Sequence, residues 1–204
     1  MNNLFFIVLP YISILVFLIS VIKKYKSNDQ SSNVESNKAT CSSGPQFFCV
    51  GFSIIVFGHL IGLIFPSLVL AWNSNSVRLI ILEVGVLGVA LASLFSFIYF
   101  VLKGAQGSLD QKSSPKNTGL NILLLILLIT GISVSQFYKW GSSWGVAVMT
   151  PYLRSLLKFS PDISAVQTLH FAVKIHVIAA FAVIGILPFT KVFDHLFCSL
   201  KNKS

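Results

Sequence analysis

The feature that most constrains this chain is a series of five long apolar runs, over residues 4–22, 47–72, 79–102, 120–137 and 163–189. A helix rises about 1.5 Å per residue, so each run is long enough to cross roughly 30 Å of hydrocarbon. Lipid offers the backbone no hydrogen-bonding partners, and these runs therefore have to be helical. The pattern predicts an all-α integral membrane bundle of five transmembrane helices.

Composition supports the same fold class. Only 10% of the 204 residues are charged and 54% are hydrophobic, whereas a soluble domain carries roughly 25% charged residues. Such a chain cannot cover a water-facing surface, and its length suits a single membrane domain over residues 1–204. The first run begins almost at Met1 with no small-residue cleavage site after it, so we interpret it as a retained helix rather than a signal peptide.

The net charge of +9 reports orientation rather than a nucleic-acid partner, because most of the lysines lie in short loops beside the apolar runs. The positive-inside rule places the more basic loops in the cytoplasm. Five crossings then put the amino terminus outside the cell (inner) membrane and the carboxyl terminus in the cytoplasm. The residues assigned to the cytoplasmic side are Lys23, Lys24, Lys26, Lys38, Lys103, Lys112, Lys116, Lys191, Lys201 and Lys203, and those assigned to the outside are Arg78, Lys139, Arg154 and Lys158.

Two histidines inside the apolar runs are candidate ligands, because ionisable groups are costly in lipid and are functional candidates by default. If helix five begins at Pro161, His176 lies roughly 22 Å from its outer end, and His59 lies roughly 20 Å before Trp72. Matched depth on facing helices suits two axial nitrogens on one haem iron. Small residues near both histidines, such as Gly62, favour a porphyrin nearby. The alternative is a packing seam of Gly58 and Gly62 with hydrogen-bonded histidines, and the residues alone leave both interpretations open.

Three other residues carry open interpretations. Glu83 is the only acid in an apolar run, and it is either an interfacial carboxylate or a proton acceptor near the outer surface. Lys174 either extends its ammonium toward the interface or meets a haem propionate. His170 points away from His176, about 240° round the helix, and we interpret it as structural or interfacial.

The chain resembles the gamma subunit of respiratory nitrate reductase, the membrane cytochrome b of that complex. The similarity covers nearly the whole length, and related cytochromes of sulfur-metabolising complexes share its motifs. The clearest pieces are Leu9-Pro10-Tyr11-Ile12 within 4–25, Phe57-Gly58-His59 and Pro66 within 51–72, the run 118–136, and Ile175-His176 and Leu187-Pro188-Phe189 within 174–191.

The resemblance implies five helices and two b-type haems stacked across the membrane. His59 and His176 match the ligand pair of the outer haem. The family's quinol site beside that haem corresponds to Gly58, His59 and Arg78, where the family usually has Lys. Lys174 matches a family Arg. We add Glu83 to this quinol site because it lies near the same outer end. The implied partners are iron–sulfur and molybdenum-containing catalytic subunits on the cytoplasmic side.

At the two positions that match the histidine ligands of the family's inner haem, this chain has other residues. They are Cys49 and Asp194, and the nearby His195 is one residue too far, which turns it about 100° round a helix. We therefore expect one haem b per chain. The alternative is that Cys49 and His195 act as displaced inner-haem ligands.

Together these features predict a membrane haem b subunit that oxidises quinol near the outer face and passes electrons inward to an iron–sulfur subunit. A cytochrome b subunit of a different oxidoreductase complex, for example a sulfur-metabolising one, is a first alternative. A haem-free membrane anchor or small transporter with structural histidines is a second.

Reporter fusions test the predicted orientation. Fusions after Lys26, Lys116 and Ser204 are expected to report a cytoplasmic location because the basic loops stay inside, and fusions near Asn75 and Ser155 an external one. Paired alkaline phosphatase and green fluorescent protein fusions at each position measure this. A cytoplasmic signal near Ser155 would contradict the helix count.

Overall fold

The computed structural model describes residues 4–28, 43–106, 115–138 and 141–189, and all the regular elements in these ranges are helical. Five segments are long and apolar enough to cross a membrane, which confirms the predicted all-α bundle: Leu4–Lys23, Phe47–Ile64, Ser76–Lys103, Thr118–Phe137 and Phe171–Phe189. The helices are α1 (Leu9–Asn28, preceded by a π-helical turn Leu4–Val8), α2 (Ser43–Ile64), α3 (Pro66–Asn73), α4 (Ser76–Gln106), α5 (Pro115–Phe137), α6 (Gly141–Trp144), α7 (Thr150–Leu157), α8 (Ser164–Gln167) and α9 (Phe171–Ile186).

The second predicted helix, over 47–72, is not continuous. It ends at Ile64 and resumes as α3 at Pro66. Proline lacks a backbone N–H and disfavours the helical conformation of the residue before it. Phe65 accordingly leaves the helical region, with φ −120° and ψ 57°. The prediction missed this break although Pro66 was visible in the sequence.

The predicted start of helix five at Pro161 was wrong, because α9 begins ten residues later at Phe171. His170 is extended, and its Nδ1 accepts a hydrogen bond from the Ala172 N–H, so this side chain caps the new helix. The Lys174 ammonium donates to the Gln167 carbonyl at 2.7 Å. It therefore satisfies a carbonyl left free at the end of α8.

The connection over 139–161 contains more regular structure than predicted. Its described residues form α6, a π-helical turn Gly145–Met149 and α7. The second to fourth transmembrane helices also differ at their ends from the predicted bounds, because α2 begins at Ser43, α4 covers Ser76–Gln106, and α5 begins at Pro115. Apolar runs report the part of a helix that lies in lipid, and not the turns that continue into the interface.

The long helices pack in the order α2, α4, α5, α9 and α1. Between α4, α5 and α9 lies a buried cluster of Phe97, Leu120, Leu124, Leu128 and Val183. Where α2 meets α4, a side chain on Gly51 would overlap the Ser93 hydroxyl, so glycine allows this close approach. Many large apolar side chains on the outer faces stay exposed, as expected of surfaces that face lipid.

The elements α3, α6, α7 and α8 lie together at one end of the bundle, which we call the capped end. At this end α7 is bound to α1. The Tyr152 hydroxyl donates to the Phe6 carbonyl at 2.8 Å, and the Tyr11 hydroxyl donates to the Leu156 carbonyl at 2.9 Å. A π-helical turn and a helix end both leave carbonyls short of partners, and these tyrosines supply them.

The same segment binds the end of α2. The Arg154 guanidinium donates to the Leu63 and Ile64 carbonyls at 3.1 and 3.2 Å. Thr150 donates to the Gly62 carbonyl at 3.2 Å. These carbonyls lie at the break before Pro66, where the regular helical ladder is interrupted. The α7 segment thus holds the ends of α1 and α2 in register.

We expect Tyr152→Phe to destabilise the fold by about 1–3 kcal/mol, because it leaves the buried Phe6 carbonyl without its donor. Burial also raises the pKa of Tyr152 above its ordinary value, so the hydroxyl stays protonated and able to donate. Thermal unfolding in mild detergent measures the effect. Tyr99→Phe is the matched control, since Tyr99 is 58% exposed on α4. Equal melting temperatures for both variants would contradict this role.

Candidate functional site: a histidine pair near the capped end

The structure brings His59 and His176 together. Their ring centroids are 6.3 Å apart, and the ring planes are inclined by 34°. His59 lies five residues before the end of α2 and His176 five residues after the start of α9. The two rings therefore share a level in the bundle, although neither helix ends where the sequence suggested.

Hydrogen bonds determine the tautomer of His176. Its Nδ1 lies 3.1 Å from the Leu127 carbonyl on α5. A carbonyl only accepts, so Nδ1 carries the proton. The Thr130 hydroxyl lies 3.1 Å from the same nitrogen, and it donates its own proton to the Ile126 carbonyl at 2.7 Å. Thr130 is thus a second acceptor for the Nδ1 proton, and the Nε2 lone pair of the neutral ring is left for another partner.

The same logic applies to His59. Its Nδ1 lies 2.7 Å from the Ile55 carbonyl, one turn earlier in α2. The proton again belongs on Nδ1, which leaves an Nε2 lone pair. Metal-bound histidines commonly donate their second ring N–H to a backbone carbonyl, which orients the ring and selects the tautomer. Both rings of the pair have this arrangement.

The spacing of the rings suits one iron between two imidazoles. A metal–imidazole bond is about 2 Å long and the ligating nitrogen lies roughly 1 Å from the ring centroid, so two axial imidazoles have centroids roughly 6 Å apart. The part of the chain that the structure describes has no cluster of three or more His, Cys, Asp or Glu that could hold a metal ion. A histidine pair suits an iron whose remaining ligands come from a porphyrin.

Glycines near the pair have different surroundings. A Cβ on Gly131 would lie 3.0 Å from His176 Cε1, so this glycine makes room for the ring on α5. Gly58 has open space beside it. A Cβ on Gly62 would instead lie 3.1 Å from the Val146 side chain. Gly62, which the sequence associated with a porphyrin or a helix seam, therefore contacts the connection at the capped end.

Glu83 belongs to a second polar group. One of its carboxylate oxygens accepts hydrogen bonds from the Ser142 N–H at 2.8 Å and from the Ser142 hydroxyl at 2.6 Å. Asn73 Nδ2 donates to the hydroxyls of Ser142 and Ser143, at 2.9 Å each. We call these four residues the Glu83 cluster. It joins α3, α4 and α6 at the capped end.

The remaining predicted site residues lie apart from the pair. The Arg78 guanidinium lies 5.1 Å from the centre of a Trp72 ring, and the Arg78 N–H donates to the Asn75 side chain at 3.3 Å. Lys174 binds the Gln167 carbonyl. Cys49 lies ten residues before His59 on α2. Asp194 and His195 lie outside the described residues.

Sequence reasoning missed several residues that these two groups depend on. Thr130 and Gly131 were not singled out, although a threonine–glycine pair inside an apolar run is itself a signal. Asn73, Ser142 and Ser143 had no such signal, because serine and asparagine are ordinary loop residues. Only the three-dimensional placement of α3 and α6 shows that they surround Glu83.

Comparison with known proteins identifies the family. The chain is 23% identical to the nitrate reductase gamma chain of Bacillus subtilis (strain 168), over 198 residues that cover 90% of this chain and 86% of the relative. A family model described as nitrate reductase gamma subunit matches residues 2–201, almost the whole chain. With five apolar helices of membrane-spanning length, the chain is a multi-pass membrane protein that belongs to the nitrate reductase gamma subunit family.

Proposed function

We propose that this chain is the haem b subunit of a respiratory nitrate reductase, which oxidises quinol and passes electrons to an iron–sulfur partner. The observation that carries the proposal is the His59–His176 pair, with its centroid spacing of 6.3 Å. Membership of the nitrate reductase gamma subunit family is the basis for the proposed complex. The pair supplies the two side-chain ligands that a b-type haem requires.

The chain's own residues are suited to hold such a haem. His59 and His176 would hold its iron through Nε2, because both Nδ1 atoms are bound to main-chain carbonyls. Leu127, Thr130 and Ile55 orient the two rings, and Gly131 admits the His176 ring. A haem bound in this way accepts and releases one electron at a time, which is the redox chemistry that quinol oxidation needs.

We assign the quinol site to the capped end beside this pair. Gly58 leaves open space next to His59, which suits the flat ring of a quinol. Arg78 and Glu83 lie on the first two turns of α4 at the same end. A cation and a carboxylate there provide a donor and an acceptor for the two hydroxyls of the substrate. Lys174 lies two residues before His176 in α9, toward the same end, and we assign it to a haem propionate.

The proposed partners follow from the family. Catalytic and iron–sulfur subunits of the complex would bind at the end of the bundle opposite to the capped end. If the predicted orientation holds, that end faces the cytoplasm of a cell whose inner membrane contains this chain. Quinol oxidation at the capped end then releases protons outside, and the electrons cross the bilayer inward. We propose one haem per chain, because the positions of the inner ligands are Cys49 and Asp194.

Substitution of the pair tests the haem assignment. His59→Ala and His176→Ala are each expected to abolish the same low-spin b-type spectrum, because one imidazole alone cannot provide both axial ligands. Visible and EPR spectra of the purified chain measure this, and iron-to-polypeptide analysis is expected to give one haem. His170→Asn is the matched control, since it removes an imidazole outside the pair while asparagine can still cap α9.

Two outcomes would contradict the proposal. A full bis-imidazole signal in either alanine variant would remove that histidine from the site. Two haems per polypeptide, with one lost selectively in His195→Ala, would make His195 a displaced inner ligand.

Replacing Arg78 tests the quinol site. Arg78→Ala is expected to weaken quinol turnover or inhibitor affinity by about tenfold or more, because it removes a charged donor, while the haem spectrum stays unchanged. Steady-state quinol oxidation and inhibitor titration measure it. Lys103→Ala is the matched control, since Lys103 also lies over an aromatic ring, that of Tyr99, near the other end of α4. Unchanged turnover and inhibitor affinity in Arg78→Ala would place the quinol site elsewhere.

A further inference from the structure

The Glu83 cluster contains a buried polar atom without a partner. Asn73 is only 7% exposed, and its Oδ1 makes no hydrogen bond among the described residues. Its Nδ2 is held by Ser142 and Ser143, so the amide is fixed in orientation. Buried carbonyl oxygens nearly always have a partner, and an ordered water is the usual one where no protein group is present. An ordered water bound to Asn73 Oδ1 would satisfy this oxygen within the Glu83 cluster.

The Ser142 hydroxyl is oriented to donate to Glu83. Because Asn73 donates to its hydroxyl oxygen, the Ser142 proton is free to point at the carboxylate, 2.6 Å away. The Ser142 N–H and the Ser142 hydroxyl both donate to the same oxygen of Glu83, Oε1. The other oxygen is left to accept a proton from elsewhere. The nearby cation, Arg78, lies over Trp72 rather than against this carboxylate.

Glu83 also lies at nearly the level of the histidine pair. Helices α2 and α4 are antiparallel and meet where Gly51 contacts Ser93. From that contact, eight residues along α2 lead to His59, a rise of about 12 Å, and ten residues back along α4 lead to Glu83, a rise of about 15 Å. Glu83 is therefore about 3 Å nearer to the capped end than His59 is, on the proposed exit side for protons.

We propose that Glu83, with a water held by Asn73 Oδ1, is the acceptor for the protons that quinol releases during oxidation. The inference rests on the proposed function. As quinol gives up one electron, an O–H bond breaks and its proton converts the Glu83 carboxylate to a carboxylic acid. Glu83 passes this proton through the Asn73 water to the medium beyond the capped end. A haem held by His59 and His176 would take the electron and pass it to the iron–sulfur partner. With Glu83 ionised again, the second O–H bond breaks in the same way, the second electron leaves, and quinone remains.

The test uses the purified complex with reduced quinol as substrate. Glu83→Gln keeps the hydrogen-bonding shape of the side chain but cannot take up a proton. We expect it to lower the rate of quinol oxidation on the order of 100-fold, and to remove from the pH–rate profile the ionisation on which the wild-type rate depends. The haem spectrum and the reduction of the haem by dithionite are expected to match those of the wild type. Asp162→Asn is the matched control, an acid at the same end whose carboxylate accepts from the Ser164 N–H.

The outcomes separate this inference from the proposed function. A wild-type chain that oxidises no quinol overturns both. A wild-type chain that oxidises quinol, with Glu83→Gln unchanged in rate and pH profile, overturns the inference alone. If Glu83→Gln does not fold or loses haem, the variant Ser142→Ala tests the inference instead. It leaves the backbone N–H donor to Glu83 in place, and is expected to lower the rate about tenfold and to shift the pH profile. Wild-type behaviour of Ser142→Ala would then overturn the inference.

Discussion

The constraint on which the rest of this structure depends is that lipid satisfies no backbone hydrogen bond. A continuous helix meets it without help, but three of the crossings here begin or end irregularly near the capped end: at the π-helical turn before α1, at Phe65 and at His170. At each irregularity a side chain supplies the missing partner. The Tyr152 hydroxyl donates to the Phe6 carbonyl, and the Arg154 guanidinium donates to a carbonyl at the end of α2. The Lys174 ammonium donates to the Gln167 carbonyl.

These hydrogen bonds at the helix ends position the histidine pair. His59 lies within two turns of the α2 end that Thr150 and Arg154 hold, and His176 within two turns of the α9 start that His170 caps. Because a helix is stiff over such short distances, holding its end sets the height and rotation of the imidazole. The helix α5 then adds the Leu127 and Thr130 acceptors that orient the His176 ring. The site is built on rigid elements and fastened by the connection at the capped end.

How much of this the sequence could predict depends on the physical scale of each signal. The five crossings were predictable because burial in lipid acts on runs of about 20 residues. His59 and His176 were visible as costly groups inside such runs. The break at Phe65 could have been predicted from Pro66 but was missed. The start of α9 at Phe171 could not, since it depends on the contacts of His170 and Lys174. The Glu83 cluster needs Asn73, whose placement depends on how α3 folds against α6.

The position of the pair also limits how electrons reach a partner. From His176 to the last residue of α9, Ile186, ten residues rise about 15 Å. A single haem near the capped end would therefore leave about half of the roughly 30 Å hydrocarbon layer between its iron and the opposite end. The resemblance to the gamma subunits implies an inner haem in that gap, and this chain has Cys49 and Asp194 at the positions that match its ligands. If the chain holds one haem, as we propose, the partner has to bring its own cofactor close to the end of α9.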